Sequence, residues 1–350
     1  MKSLNKRQKY IEEYIKDKEE VQIWDILAHI KSDFSVDRRT VIRDMDLLSK
    51  LGYVSKQGAG RGASYTISNR YNLLREIDIK KYFSIPFDER EVKTSFDFDI
   101  FDILKESVFS EDEENKLAQL HNNFVKNFAQ YDSQTLINKE FERILIEFSW
   151  KSSQIEGNTY SLLSTEQLIK DNRPDKRKTK EETQMILNHK DAFNESLQSK
   201  DVFTRLSRAN IEHIHYLLTK GLGISKNLRK SPVGITGTNY KPLDNMHQIE
   251  EVLGTMIKLI NGKENFFEKA FLSLILLSYI QAFEDGNKRT ARMVANAILL
   301  SYNSIPMSYR AVNEVEYKKA SLLFYEINNL SYFKDIFLKQ FEFAVKNYFN

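Results

Sequence analysis

Cysteine is absent from this 350-residue chain, which excludes disulfides and cysteine-ligated zinc. A chain without disulfides suits a reducing compartment, and its first residues lack the apolar core of a signal peptide. Long hydrophobic runs are missing too, because the longest, near residues 270–280, is far shorter than the ~20 residues that span a bilayer. These absences predict a cytoplasmic protein with no membrane partner.

Proline and glycine, which interrupt helices, are also scarce, with 5 and 12 residues respectively. We therefore expect a mainly α-helical fold. A length of 350 residues allows two domains. The formal net charge of +3 is too small for the whole chain to act as a polyanion binder, so any basic surface must be local.

The first 70 residues predict three helices followed by a β-hairpin. Apolar residues at helical spacing mark helices that begin near Leu4, at Ile23 and near Val36, and Gly52 ends the third. In the third helix we expect Leu47 to be buried. Two short segments rich in β-formers then flank the glycine-rich turn 58–62.

This pattern resembles a winged helix-turn-helix of bacterial regulators over residues 1–70. Arg38, Arg39 and Arg43 lie opposite the apolar face of the third helix, and Arg61 lies at the hairpin tip. The resemblance implies that the third helix enters a DNA major groove while the hairpin touches phosphate. Fourteen Lys/Arg against ten Asp/Glu give the unit a net charge of only +4. A role in protein contacts or dimerisation therefore stays open.

The remainder predicts helices, with one exception. Residues 71–140 form a helical connecting region without recognisable chemistry. Residues 229–243 combine Gly and Pro with β-formers, which predicts an exposed β-hairpin between helices.

The segment 266–300 carries the strongest chemical signal. An apolar run predicts a buried helix that stops at an acidic turn, where Gly286 and Asn287 break the helical pattern. A second helix follows, with Arg289 and Arg292 three residues apart on one face. Backbone N–H groups at a helix start, one carboxylate and two guanidinium groups could hold a triphosphate with Mg²⁺. The alternative is a helix–turn–helix corner with solvated charges.

Three segments in order resemble Fic (filamentation induced by cAMP) proteins. Gln281-Ala-Phe-Glu-Asp-Gly-Asn-Lys-Arg-Thr-Ala-Arg292 resembles the family signature His-x-Phe-x-Asp/Glu-Gly-Asn-Gly/Lys-Arg-x-x-Arg. Ser152-Ser-Gln-Ile-Glu156-Gly157 is similar to the inhibitory motif Ser/Thr-x-x-x-Glu-Gly/Asn, and 229–243 is similar to the flap that aligns a target segment. The resemblance implies an all-helical Fic domain over 141–350 with a small β-hairpin flap. An inhibitory helix at about 145–157 would precede the flap, as in class II members.

The resemblance also implies an activity, the transfer of AMP from ATP to a Ser, Thr or Tyr hydroxyl of a target protein. Asp285 would bind Mg²⁺, and Glu156 would pair with Arg292 and so block ATP. The implied nucleotide-binding residues are Gly286, Asn287, Lys288, Arg289 and Arg292. The implied inhibitory residues are Ser152, Glu156 and Gly157. The implied target-binding residues of the flap are Thr236, Gly237, Thr238, Asn239 and Tyr240.

Two positions depart from the signature. Gln281 occupies the place of the catalytic histidine, and a carboxamide cannot accept the hydroxyl proton, which typically lowers the rate about 10²–10⁴-fold. Lys288 replaces a frequent glycine and is shared with the phosphate-transferring Doc branch. The sequence thus leaves open a weakened AMP transferase, phosphate transfer, and a silent nucleotide sensor that regulates transcription. A homodimer also stays open.

The six histidines offer one substitute base. His29, His121, His189, His213 and His215 predict packing or surface roles. His247, just past the flap, is the one candidate for taking over the proton transfer.

Overall fold

The computed structural model describes residues 4–349, except the side chain of Arg61. The described chain is mainly helical. The helices of its first part are α1 (Lys6–Lys16), α2 (Ile23–Ile30), α3 (Arg38–Lys50), α4 (Tyr71–Leu74), α5 (Ile79–Ser84), α6 (Ile100–Ile103) and α7 (Glu111–Phe128). The helices that follow are α8 (Gln134–Ile155), α9 (Leu162–Asp171), α10 (Lys180–Gln198), α11 (Arg208–Thr219), α12 (Met246–Gly262), α13 (Phe266–Ile280), α14 (Asn287–Ser301), α15 (Glu314–Ile327) and α16 (Ser331–Asn347).

The first 67 residues contain three of these helices and a three-stranded antiparallel sheet. Its strands are β1 (Val21–Gln22), β2 (Val54–Gln57) and β3 (Ser64–Ile67), in the order β1-β3-β2. β2 and β3 pair from Val54 opposite Ile67 to Gln57 opposite Ser64, as the hairpin pattern predicts. The Asp44 carboxylate on α3 accepts from Arg7 Nε at 2.6 Å and so ties α3 to α1.

The basic face predicted on α3 is partly accessible. Arg39 and Arg43 are exposed, whereas Arg38 is half-buried with its guanidinium carbon 5.2 Å from the Trp24 ring centre. The predicted burial of Leu47 is wrong, since that residue is 37% exposed and Met45 fills the core on this side of the helix. Arg61, the predicted residue at the hairpin tip, has a side chain outside the described part.

Two consecutive helices, α13 and α14, form the centre of the larger part of the molecule. Every residue of α13 from Phe267 to Ile280 is buried, because α12, α14 and α15 surround it. The other sides of α14 meet α8, α10 and α11. The turn between α13 and α14 is thereby held among packed helices. None of the helices in residues 4–349 has the length and apolarity that crossing a bilayer requires.

The predicted β-hairpin at 229–243 is wrong as secondary structure. These residues form an irregular loop with a turn at Gly237, and the described sheet lies wholly within 21–67. The backbone N–H of Arg229 donates to Ala282 O at 3.0 Å, and that of Lys241 donates to Thr94 O at 3.0 Å. Because both ends of the loop bond to other segments, they do not form a ladder with each other. We call residues 229–243 the flap loop.

Candidate functional site

The turn between α13 and α14 is held by side-chain hydrogen bonds within the motif. Gln281 ends α13 in the left-handed conformation, with φ of 51°. The Asn287 amide oxygen accepts from Phe283 N at 2.9 Å, and its amide nitrogen donates to Phe283 O at 2.7 Å. That nitrogen also donates to Gln281 Oε1 at 3.1 Å. Asn287 therefore shapes the turn, and its buried amide is fully engaged.

His215 on α11 supports the turn from behind. Its ring stacks on the Phe283 ring at a centroid distance of 3.7 Å, and Nε2 lies 3.0 Å from Asp285 O. Because that carbonyl only accepts, Nε2 carries the proton. Burial lowers the pKa of His215 to about 4, so the ring is neutral at pH 7. Sequence reasoning missed this role, since no local pattern places α11 beside the motif.

Gly286 is required at the start of α14 for two reasons. Its φ is +80°, which side chains rarely adopt. A Cβ there would also come within 2.9 Å of Thr219 Cγ2. Gly286 therefore lets α11 pack directly against the turn.

The turn lines a cleft with a volume of about 300 Å³, at the small end of the range for ligand pockets. Its other walls are the end of α8, the flap loop and one side chain of α15. The lining residues are 155–156, 233–236, 281, 284–288 and Lys318. The structure thus brings together the predicted inhibitory segment, part of the flap loop and the motif turn. Lys318 was missed by the sequence interpretation because it lies outside all three motifs.

Arg292 lies at the base of this arrangement and is fully buried. Its Nη2 donates to Glu156 Oε1 at 2.8 Å and to Ser152 O at 2.9 Å. The Tyr317 ring lies 5.3 Å from its guanidinium carbon, which adds a cation–π contact. Two segments 136 residues apart thus meet in one buried ion pair. Gly157, with φ of +95°, allows the chain to turn away directly after Glu156.

A buried histidine on α10 fixes the other side of Arg292. His189 Nδ1 lies 2.8 Å from Met185 O and Nε2 lies 2.9 Å from Ser152 Oγ. The carbonyl needs a donor, so Nδ1 is protonated and Nε2 accepts the Ser152 hydroxyl. Ser152 Oγ in turn accepts from Arg292 Nε at 2.9 Å. Burial lowers the pKa of His189 to about 3, which keeps the ring neutral in this chain.

Glu156 is ionised in this environment. Burial alone raises the pKa of a carboxyl, but the charges of Arg292 and Lys288 outweigh it and hold the pKa of Glu156 below its ordinary value. A phosphate oxygen would seek the same guanidinium, so Glu156 and a nucleotide compete for Arg292.

Arg289 is also buried and is only partly satisfied. Its Nη2 donates to Asp285 Oδ2 at 2.9 Å, while Nη1 has no hydrogen-bond partner among the described residues. A buried guanidinium N–H without a partner is costly, and an anionic oxygen in the cleft would satisfy it. Asp285 is 68% exposed at its side chain and also accepts from Gly286 N at 2.6 Å.

The donor set fits Mg²⁺ only together with a polyphosphate. Within residues 4–349 no group of three or more metal-ligating side chains comes together, and Asp285 is the exposed carboxylate next to the unpartnered Arg289 nitrogen. Mg²⁺ usually binds through one or two carboxylates, substrate phosphates and water, so a lone aspartate suffices when a nucleotide supplies the rest.

Arg229 anchors the flap loop to the motif. This buried guanidinium donates from Nε to Gln281 O at 2.5 Å, from Nη1 to Ser231 O at 2.9 Å and from Nη2 to Leu243 O. It thus holds both ends of the loop and the motif turn with one side chain.

The predicted target-binding residues do not all face solvent. Thr236 lines the cleft, and Asn239 donates to Phe87 O at 3.3 Å. Gly237 and Thr238 are half-buried. Tyr240 is buried, with its ring 4.9 Å from that of Tyr279 and its hydroxyl donating to Tyr279 O at 3.1 Å. Tyr240 is therefore an anchor of the loop rather than an exposed contact.

His247 does not line the cleft. It is the second residue of α12 and is exposed there, with its backbone N–H bonded to the Asn245 side chain at 2.8 Å.

Comparison with known proteins agrees with this geometry. Residues 205–299 match the sequence model of the Fic/DOC family. The chain is 27% identical over 107 residues to a probable protein adenylyltransferase of Aquifex aeolicus, a match that spans 30% of this chain and 33% of that relative. The chain thus matches about a third of the length of this curated relative.

Solved structures share the fold at low identity. A Fic-1 segment from C. elegans is 19% identical with a TM-score of 0.55, covering 68% of this chain and 71% of that one. A Fic-domain signaling protein from Bacteroides thetaiotaomicron is 16% identical with a TM-score of 0.54, covering 66% and 94% respectively. A Fic family protein from Desulfovibrio desulfuricans is 19% identical with a TM-score of 0.54, covering 66% and 73%. The chain therefore contains a Fic/DOC family domain.

Proposed function

We propose that the chain is a Fic-type protein adenylyltransferase, restrained by Glu156 and weakened by Gln281. The observation that carries the proposal is the buried Glu156–Arg292 pair at the edge of the cleft. A guanidinium held by a removable carboxylate suits a phosphate site that is closed at rest. The match of residues 205–299 and the name of the Aquifex relative support AMP transfer as the reaction.

In this proposal the motif turn holds the phosphates of ATP. Backbone N–H groups at the start of α14, Lys288 and the free nitrogen of Arg289 would donate to phosphate oxygens. Arg292 would take the γ-phosphate when Glu156 withdraws. Asp285 would hold Mg²⁺, which supplies neutralisation of phosphate charge when bound.

The acceptor is the hydroxyl of a Ser, Thr or Tyr in a target protein. Its oxygen attacks the α-phosphorus, pyrophosphate leaves, and the hydroxyl proton must pass to a base. The flap loop would align the target segment, since Thr236 and its neighbours border the same cleft. Gln281 cannot take the proton, so we expect slow transfer.

Calorimetric titration with Mg-ATP and a transfer assay with α-labelled ATP test the proposal. We expect Glu156→Gly to tighten ATP binding about 10-fold or more, because Arg292 gains a free coordination direction. The double variant Glu156→Gly/Gln281→His should label itself or a target protein. Binding of ATP without any label in the double variant would refute the transferase. Label from γ-labelled ATP in its place would indicate phosphate transfer.

A second candidate function is nucleotide sensing coupled to DNA binding. Two observations favour it: Gln281 stands where the base belongs, and the N-terminal unit exposes Arg39 and Arg43 on α3. The proposal is that this unit is a winged helix-turn-helix whose DNA affinity changes with nucleotide. Affinity for a pool of random-sequence duplex DNA should fall in Arg39→Ala/Arg43→Ala and with rising salt. Equal DNA affinity with and without Mg-ATP would contradict the coupling.

A further inference from the structure

The side chain of Gln281 is fully committed to the turn. Its Nε2 donates to Ser278 O at 2.6 Å, closing the end of α13, and its Oε1 accepts from Asn287 Nδ2 at 3.1 Å. Only 9% of the residue is exposed. The carboxamide therefore lacks basicity and also has no free atom with which to orient a hydroxyl. A proton acceptor for the proposed transfer must come from another residue of the cleft.

Three carboxylates line the cleft, and two of them are engaged. Glu156 is paired with Arg292, and Asp285 with Arg289 and its neighbouring N–H. Glu284 is exposed and makes no hydrogen bond or ion pair with any residue in 4–349. Among the side chains that line the cleft, it is the carboxylate whose lone pairs are free.

The position of Glu284 is fixed although its side chain is free. The preceding Phe283 is held by the stack on His215 and by two hydrogen bonds from Asn287. Glu284 borders the same cleft as the flap-loop residues Ile235 and Thr236, where the target segment would lie. A carboxylate at this place can meet a target hydroxyl without any rearrangement of the turn.

We propose that Glu284 is the general base of this chain, in place of the missing histidine. The inference rests on the AMP transfer proposed above. The target oxygen forms a bond to the α-phosphorus, the bond from that phosphorus to the bridging oxygen of pyrophosphate breaks, and the hydroxyl proton moves to a carboxylate oxygen of Glu284. A carboxylate is a weaker base than imidazole, so the transfer is slower than with histidine but not abolished.

The charges facing Glu284 keep it ionised at neutral pH. Lys288 from α14 and Lys318 from α15 line the cleft with it, and the paired carboxylates Glu156 and Asp285 are the remaining titratable groups there. Lining residues 233–236 of the flap loop contribute no titratable side chain. We therefore expect an acidic limb of the rate near the ordinary carboxyl range, well below that of histidine.

The test uses the full chain with Glu156→Gly, so that ATP can bind, and measures self-labelling from α-labelled ATP. Glu284→Gln should lower the rate about 10²–10⁴-fold while the Kd for Mg-ATP stays within about twofold. Glu284→Asp should restore part of the rate. Glu264→Gln removes an exposed carboxylate just before α13 and serves as the control. With Gln281→His added, the acidic limb should move toward pH 6.5 and Glu284→Gln should lose most of its effect.

The possible results separate the two proposals. An undiminished rate in Glu284→Gln would overturn the role of Glu284 and leave AMP transfer intact. The same holds for an acidic limb that Glu284→Gln does not change. If Glu156→Gly/Gln281→His gives no label either, AMP transfer fails, and the assignment of Glu284 fails with it.

Discussion

Single buried side chains decide the shape of the motif turn, and the two histidines next to it illustrate how. His189 and His215 both lie within a few bonds of the site, yet burial lowers their pKa values to about 3 and about 4. Each is tied by a ring nitrogen to a backbone carbonyl, Met185 O and Asp285 O respectively. Neither lines the cleft. Imidazole therefore positions the site here and does not exchange protons with a substrate.

Gly286 is the residue at which the smallest addition should do the most damage. We expect Gly286→Ala to lower the free energy of unfolding by about 1–3 kcal/mol, because φ of +80° and contact with Thr219 Cγ2 both oppose a methyl group. Mg-ATP affinity should fall as well, since the backbone N–H groups at the start of α14 move. Urea unfolding and calorimetry measure the two effects.

Thr219→Ser separates the two causes. It removes Cγ2 but keeps the hydroxyl that donates to His215 O at 2.7 Å. In the Gly286→Ala background it should restore the part of the loss that is steric. Gly157→Ala is the matched control, because φ is +95° there but nothing lies within 4 Å of the added carbon. No recovery in the double variant would show that the clash with α11 is not what Gly286 avoids.

At the scale of elements, local signals predicted the helices well. The apolar run and the Gly-Asn break predicted α13, α14 and the turn, because a buried helix and its end depend on neighbouring residues in sequence. The flap loop failed as a hairpin because its backbone bonds go to Ala282 and Thr94, which lie far away in the sequence. His215, His189, Arg229 and Lys318 escaped notice for the same reason: only the packing of distant helices gives them a role.

Arg229 should control the order of the flap loop. We expect Arg229→Met to lower the free energy of unfolding by about 2–5 kcal/mol, since it leaves buried carbonyls of Gln281 and Leu243 without their donor. Amide hydrogen exchange in residues 230–243 should accelerate more than exchange in α13. Arg208→Met is the control, because Arg208 forms exposed ion pairs with Glu212 and Glu250. Uniform acceleration across the chain would show that Arg229 stabilises the core and not the loop.

At the scale of the whole molecule, α15 joins the cleft to the N-terminal unit. Its first part carries Tyr317, beside Arg292, and Lys318, which lines the cleft. Its end carries Glu326, which accepts from the Tyr82 hydroxyl at 2.7 Å and from Arg90 at 3.1 Å. A shift of α15 on nucleotide binding would therefore reach residues next to the N-terminal unit.

The junction between α15 and α16 is the firmest of these links. Asn329 Nδ2 donates to Asn72 O at 2.8 Å and to Arg75 O at 2.9 Å, and Leu330 N donates to Leu73 O at 2.7 Å. We expect Asn329→Ala to speed proteolysis near residues 71–76 and to lower stability by about 1–3 kcal/mol. Asn138→Ala, on an exposed part of α8, is the control. Unchanged cleavage near residues 71–76 would show that other contacts hold the junction.

The two buried histidines also set how the stability of the whole molecule responds to acid. Unfolded histidine has a pKa near 6.5, while burial lowers the folded values of His189 and His215 to about 3 and about 4. Below pH 6.5 the unfolded chain therefore binds two protons that the folded chain refuses, and stability falls as the pH falls. The slope approaches about 1.4 kcal/mol per pH unit for each histidine.

Carboxylates with lowered pKa values act in the same direction but at lower pH. Glu182, whose pKa falls to about 2 mainly through the hydrogen bond from Thr159, loses its contribution only below about pH 4.5. Urea unfolding between pH 7 and 5 therefore isolates the histidines, and His215→Gln should reduce the slope in that window by about half. His213→Gln removes a half-exposed ring from the same helix and should leave the slope unchanged. A slope that survives His215→Gln would mean that the folded chain protonates His215 without losing the stack on Phe283, and the turn would then not depend on a neutral ring.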